Sequence, residues 1–165
     1  MTKIIPIVIT ILSVGEKFLF LKRRNPPYEN LWSLVGGKVN PGEHIFTAAK
    51  REVMEETGSA HVYDYSMKGV VSERLVKPDG GLEAQFLIFV GDAKLDSFSK
   101  THDEGVLSLF TLNDLEMIKN SILPSDWEMF SSFRSLDQNC IRYYEAELVH
   151  DEGNYTLNYY RDGLG

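Results

Sequence analysis

The chain has 165 residues, of which 43% are hydrophobic and 25% charged, a composition typical of one globular domain. Its 17 lysines and arginines and 24 acidic residues give a net charge of -7, which argues against nucleic acid polymers and anionic membranes as partners. The single cysteine, Cys140, excludes an internal disulfide and a thiolate zinc cluster. No apolar run has the roughly 18 residues of a membrane span, so we expect one cytoplasmic domain over residues 1–165.

The first part of the chain is predicted to form a hairpin, an exposed loop and a helix. Runs rich in branched and aromatic residues indicate strands at about 4–14 and 17–22. Prolines 26 and 27 exclude a helix or a central strand in residues 23–30, which we expect to form a loop. After a turn at 40–42, a helix is predicted from about Glu43 to Thr57, and Gly58 follows as its left-handed stop.

The second part is predicted to contain two further hairpins and two short helices. The predicted strands are, in chain order, about residues 62–76, 82–90, 106–110, 141–149 and 155–160. Thr111 is expected to cap a helix that runs through Met117, and Ser125 one that runs from Asp126 to about Leu136. Because strands and helices alternate irregularly, we expect an α+β fold with a mixed or mostly antiparallel sheet.

Three glutamates gather on one side of the first helix. A helical projection places Glu52, Glu55 and Glu56 within a sector of about 100°. That sector lies about a quarter turn or more from an apolar stripe expected to face the core. The residues of this stripe are Phe46, Ala49, Val53 and Thr57. A hard cation such as Mg2+ or Mn2+ would relieve the repulsion among the carboxylates, whereas the alternative is a solvated acidic face.

The residues around these glutamates decide between the two alternatives. Gly37, Glu43 and the segment 51–58, which reads Arg-Glu-Val-Met-Glu-Glu-Thr-Gly, have the spacing of the Nudix box, and the sequence resembles the Nudix hydrolase family over residues 37–59. The preceding segment 32–38 is similar to the family in the same register. Val35 and Ser59 depart from the usual pattern, but neither departure removes a carboxylate.

The resemblance implies a fold and a metal site. The implied fold is a Nudix-type α/β/α sandwich with a mixed, largely antiparallel sheet and a loop-helix-loop catalytic box. The implied ligands of Mg2+ or Mn2+ are Glu52, Glu55, Glu56 and the backbone carbonyl of Gly36, with Arg51 orienting a glutamate. Glu43 is expected to support the loop or to bind a further metal ion. For the general base we favour Glu52, with Glu104 as the rival.

Other residues are expected to contact a nucleotide. We expect Lys38 to bind phosphate as a point charge, and Arg23 or Arg24 to bind it in bidentate fashion. The alternative is that these residues are ordinary surface charges. Leu34 is assigned to the substrate site. Asp126 would accept hydrogen bonds from a guanine-like edge, or else it serves only the first turn of a helix.

The function implied by the resemblance is hydrolysis of a phosphoanhydride bond in a small nucleotide. The short chain and the segment 124–126 favour a nucleoside triphosphate, canonical or oxidised, cleaved to a monophosphate and pyrophosphate. The first alternative substrate is ADP-ribose or a nucleotide sugar. From other classes, the alternatives are a nucleotide-sensing Nudix module without catalysis and an acidic interaction domain. Whether the chain forms a homodimer stays open.

Overall fold

The computed structural model describes residues 2–99, 101–137 and 139–165, with only the backbone of His102. The strands in these ranges are β1 Ile4–Val14, β2 Lys17–Arg23, β3 Trp32–Ser33, β4 Val35–Lys38, β5 Val62–Val76, β6 Leu82–Leu95, β7 Thr101–His102, β8 Gly105–Phe110, β9 Arg142–Asp151 and β10 Asn154–Asp162. The helices are α1 Ile45–Thr57, α2 Leu112–Ile118 and α3 Pro124–Phe133, with a 3-10 turn at Lys119–Ser121.

The described strands form one mixed sheet. Its main path runs in the order β10-β9-β5-β6-β1-β2-β8-β7, with β3 beside β2 and β4 beside β1. The pairs β1–β6 and β5–β9 are parallel and the other pairs are antiparallel. One edge of β1 pairs first with β4 and then, from Leu12 onwards, with β2. This change of partner brings the glycines of β4 into the sheet beside Val8 and Ile9 in the middle of β1.

Helices cover both faces of the sheet, as the alternation along β1 requires. Val8 packs with Ala48 and Ala49 of α1. Ile9 and its same-face neighbours pack with the aromatic and methionine side chains of α3. The sheet therefore lies between α1 and α3, and the predicted α+β sandwich is confirmed.

The predicted turns have the expected local chemistry. Gly58 ends α1 with a φ of 67° and donates its N–H to the carbonyl of Met54. The hairpin between β5 and β6 closes through Lys77 and Gly81, where Gly80 has a φ of 85°. Thr111 and Asp114 form a reciprocal capping box at α2. The predicted helix stop, hairpin and helix cap are thus confirmed, each by its own hydrogen bonds.

Three details of the prediction are wrong. The first helix begins at Ile45 rather than at Glu43. Phe46, assigned to its buried stripe, is 54% exposed and packs its ring against Tyr65. Ser125 does not cap α3, because the helix already begins at Pro124, whose missing N–H and fixed φ suit the first helical position.

No helix among the described residues is both long and apolar enough to cross a membrane.

Candidate active site

Two glycines of β4 bring the backbone close to its neighbours. A Cβ on Gly37 would overlap the carboxylate of Glu52, and a Cβ on Gly36 would overlap the backbone carbonyl of Val8. Neither glycine has a positive φ, so the requirement is space rather than backbone conformation. The glycine pair thus lets α1 place a carboxylate directly against the strand, which an alanine would prevent.

Arg51 organises three carboxylates on one side of α1. Its Nε and Nη2 donate to the two oxygens of Glu43 at 2.7 and 2.9 Å, and its Nη1 donates to Glu52 at 2.7 Å and to Glu55 at 3.3 Å. Nη2 also donates to the carbonyl of Lys38 at 3.0 Å. The hydrogen bond from Arg51 holds the pKa of Glu43 at about 2. Glu43 therefore anchors the guanidinium, which in turn orients Glu52.

Glu56 lies on the buried face of α1, closer to the core than the sequence projection indicates. Burial, together with the neighbouring carboxylates of Glu104 and Glu52, raises the pKa of its carboxyl to about 9. The N–H of Gly36 donates to Oε2 of Glu56 at 3.3 Å and opposes this rise. Glu52, Glu56 and Glu104 therefore share one region, although Glu104 comes from a loop nearly fifty residues away in the chain.

A cavity of about 570 Å3 begins at these carboxylates. Its apolar floor consists of side chains from β1 and β6, namely Ile5, Ile7, Ile9, Phe86 and Ile88. Glu73 and Asp126 form the far end of the cavity, since Glu73 pairs through Phe86 with Ile5 of β1, whereas Gly36 pairs with Ile9. Asp126 lies near Glu73, and its Oδ2 accepts the N–H of Leu34 at 2.8 Å. Burial raises the pKa of Asp126 to about 7. The cavity is thus acidic at both ends and apolar between them, an arrangement typical of a small-ligand site.

Most of the predicted site residues lie at this cavity. Those that line it are Arg23, Leu34, Gly36, Lys38, Glu52, Glu56, Glu104 and Asp126. Arg51 lies behind them. Glu55 is 59% exposed and is not part of the lining, and its ligand role stays a prediction. Arg24 is also outside the lining, where its N–H donates to the carbonyl of Glu104 at 2.8 Å.

Among the polar side chains that line the cavity, sequence reasoning missed Glu73 and Tyr28, as well as Ser33, whose hydroxyl donates to the carbonyl of Leu21 at 3.4 Å. Glu73 left a signal in the sequence, since it occupies the same strand face as Val71 and Leu75 and interrupts an inward apolar alternation. No sequence signal marked Tyr28, because it lies in a loop without hydrophobic periodicity. Its position at the cavity follows only from the path that residues 24–31 take.

The donors at the acidic end suit a divalent cation. Three carboxyl groups gather beside the backbone of Gly36, and their mutual repulsion contributes to the raised pKa of Glu56. A hard cation would remove this repulsion by binding oxygen ligands. Among the described side chains, no group of three histidine, cysteine or carboxylate residues already has the geometry of a metal site. The residue types fit Mg2+ or Mn2+, and their side chains would have to adjust on binding.

Comparison with known proteins identifies the family. The NUDIX domain model matches residues 3–133. This chain belongs to the Nudix hydrolase family. A putative 8-oxo-dGTP diphosphatase of Bacillus subtilis is 44% identical over 50 residues, which are 30% of this chain and 32% of that protein. An ADP-ribose pyrophosphatase of Methanocaldococcus jannaschii is 31% identical over 105 residues, which are 64% of this chain and 60% of that protein.

Solved Nudix structures confirm the fold. A mutator MutT protein from Bacillus halodurans superposes with a TM-score of 0.78 and 22% identity, over 98% of this chain and 99% of that one. At this identity the likeness shows the fold alone. The two curated relatives have different substrates in their names, and the chain spans only about a third and 60% of their lengths. Family membership therefore does not decide the substrate of this Nudix chain.

Proposed function

We propose that this Nudix chain is a metal-dependent pyrophosphohydrolase of small nucleotides. The favoured substrate is a nucleoside triphosphate, canonical or oxidised, which would yield a monophosphate and pyrophosphate. The observation that carries the proposal is the meeting of Glu52, Glu56 and Glu104 at one end of a cavity that is apolar further in. Such a cavity has room for phosphates at the acidic end and for a base at the other.

The ligands of the metal ion would be Glu52, Glu56, the carbonyl of Gly36 and, as the sequence implies, Glu55. Bound Mg2+ or Mn2+ supplies neutralising charge for the phosphate oxygens and lowers the pKa of a water molecule. Glu52 would accept the proton of the attacking water, with Glu104 as the rival base.

Cationic side chains would bind the phosphate groups. Lys38 is exposed at the rim of the cavity, and Arg23 is half-buried on the same lining. Arg23 Nε donates a hydrogen bond to the carbonyl of Pro27 at 3.0 Å, which directs the guanidinium along the loop. Arg51, whose donors are taken up by carboxylates and by the carbonyl of Lys38, would act as a positioning residue for Glu52.

A second candidate substrate is ADP-ribose. It is favoured by the pyrophosphatase relative, which matches a longer part of the chain than the diphosphatase relative does. Cleavage of the same type of bond would then yield AMP and ribose phosphate. The two candidates share the acidic end of the cavity and differ in what occupies its far end.

The test is product analysis with Mg2+ and then Mn2+ on nucleoside triphosphates, oxidised triphosphates, ADP-ribose and other nucleotide sugars. We expect Glu56→Gln to lower kcat/KM by about 100-fold or more, because a charged ligand is lost at the reacting phosphate. The matched control is Glu116→Gln on α2, an exposed acid that pairs with Lys119 outside the cavity and should leave kcat/KM unchanged.

The products separate the alternatives. Monophosphate and pyrophosphate would support the triphosphate, whereas AMP and ribose phosphate would support ADP-ribose. Saturable nucleotide binding without turnover of any substrate would overturn the proposed catalysis and favour a nucleotide-sensing module. Equal activity of Glu56→Gln and the wild type would overturn the assigned metal site.

A further inference from the structure

The cavity lining includes a buried carboxyl group, one oxygen of which has no hydrogen-bond partner among the described groups. Glu73, on β5, is only 3% exposed and shares a face with Val71 and Leu75. Its Oε2 has no hydrogen-bond partner among the described groups. Burying a carboxylate in this way is costly, because at this oxygen neither a cation nor a hydrogen-bond donor among the described groups replaces the lost water. An apolar residue at this position would stabilise the fold better, which indicates a role outside folding.

The surroundings of Glu73 hold another acid and hydroxyl groups. Burial, with a smaller contribution from the Asp126 carboxylate, raises the pKa of Glu73 to about 7 against the opposing effect of the nearby Ser125 hydroxyl. Ser125 Oγ is itself buried without a hydrogen-bond partner among the described groups. Glu73 and Asp126 also both raise the pKa of Tyr28, so the phenol lies near the two carboxyl groups. The far end of the cavity thus has an excess of acceptors.

The position of Glu73 separates it from the metal site. It pairs with Phe86 of β6 and Ala146 of β9 in the middle of the sheet. The acidic end is held by α1, β4 and the loop before β8, whereas Glu73 and Asp126 come from β5 and α3. A ligand that bridges the two ends would meet Glu73 with the part that carries no phosphate.

We propose that Glu73 is a specificity-determining residue that, together with Asp126, recognises a base with two adjacent N–H donors, the guanine class. This inference rests on the proposed function, since it assumes a nucleotide in the cavity. A guanine edge presents a ring N–H beside an exocyclic amino group, which matches two carboxyl acceptors. An adenine edge presents one amino group beside a ring acceptor, which an ionised carboxylate repels.

The test compares dGTP with dITP, which lacks only the exocyclic amino group. We expect the wild type to prefer dGTP in kcat/KM by about tenfold or more, because a base without the amino donor leaves a buried carboxyl unpaired. Glu73→Met, unbranched and without an acceptor, should bring the ratio close to one. Glu73→Gln keeps one acceptor oxygen and should retain an intermediate ratio.

The control is Glu147→Gln. Glu147 is a nearly buried acid on the opposite face of the sheet, paired with Arg74 at 3.0 Å and Asn158 at 2.7 Å. Its substitution should leave the dGTP to dITP ratio unchanged. Because the ratio is taken within each variant, partial loss of folded protein does not alter it.

Binding provides a readout independent of turnover. Calorimetry of the full chain with dGMP and dIMP should show tighter binding of dGMP in the wild type and equal binding in Glu73→Met. A protein that shows this difference without hydrolysing any nucleotide would support the inference and overturn the proposed function. If the wild type hydrolysed dGTP and dITP with equal kcat/KM and bound dGMP and dIMP equally, the inference would be overturned and the proposed hydrolysis would stand.

Discussion

Arg51 shows how one residue type suits one position. A planar guanidinium binds both oxygens of Glu43 and still has donors for Glu52 and for the carbonyl of Lys38. A lysine ammonium has similar charge but no fork, so it would serve one or two of these acceptors at a time. The orientation of Glu52 thus depends on shape as well as on charge.

We expect Arg51→Lys to lower kcat/KM by about tenfold or more, because a positioning partner of a metal ligand is lost. Steady-state kinetics at saturating Mg2+ checks this. The matched control is Arg161→Lys on β10, where Nε and Nη2 both donate to Glu145 on the surface. The control should keep wild-type kinetics. Wild-type kinetics in Arg51→Lys would show that Glu52 needs no guanidinium.

Single residues also show what the sequence could and could not predict. The glutamates of α1 were predictable because helical spacing fixes which side chains share a side. Glu73 interrupts an apolar alternation and was visible in principle, but alternation alone does not say that its face lines a cavity. Tyr28 was not predictable, since its place follows from a loop path without periodicity.

At the scale of elements, the sequence predicted most strands and helices within a few residues. Alternation and capping are local, so β1, β2, β5, α1 and α2 follow from short windows. Burial on a helix is not local. Phe46 belongs to the predicted stripe, yet it is in the first turn, where its ring leans on Tyr65 and stays half in solvent.

The end of α1 gives a prediction at this scale. Gly58 has a φ of 67°, and a Cβ there would lie 2.7 Å from the Ser99 hydroxyl oxygen. We expect Gly58→Ala to lower the free energy of unfolding by about 1–2 kcal/mol from backbone strain alone, with the contact adding to the loss. Urea denaturation measures it.

Gly42→Ala is the control for backbone strain. Gly42 has a φ of 82° with no atom within 4 Å of the added Cβ, so its substitution reports strain without a contact. Gly58→Ala should therefore destabilise the protein more than Gly42→Ala does. An equal loss in the two variants would mean that Ser99 moves aside at no cost.

At the scale of the whole molecule, the cavity is built from segments far apart in the chain. β4 and α1 supply the acidic end, β1 and β6 the floor, and β5 and α3 the far end. Which segments meet depends on the order of strands in the sheet, including the parallel pairing of β1 with β6. Local sequence patterns do not contain this order, so the cavity as a whole could not be predicted.

The same assembly makes the stability of the protein depend on pH. Burial raises the pKa values of Glu73 and Asp126 to about 7 in the folded chain, above the ordinary range near 4 of the unfolded chain. Between about pH 4 and 7 the folded chain thus binds more protons than the unfolded chain. Because of this difference, the free energy of unfolding falls as pH rises through that window.

Glu73→Met removes one of these groups and keeps the other. The stability of the variant relative to the wild type should increase by about 1–3 kcal/mol between pH 4.5 and pH 8, since only the wild type must ionise Glu73 in an apolar site that holds Asp126 and Tyr28 nearby. Denaturation without metal at both pH values measures this change, from which differences in packing cancel. The stability of Glu147→Gln relative to the wild type should not increase at high pH, because this variant removes an acid that is paired with Arg74. A relative stability of Glu73→Met that does not change with pH would mean that water reaches Glu73, and the argument for an unsatisfied carboxyl at the far end of the cavity would fail with it.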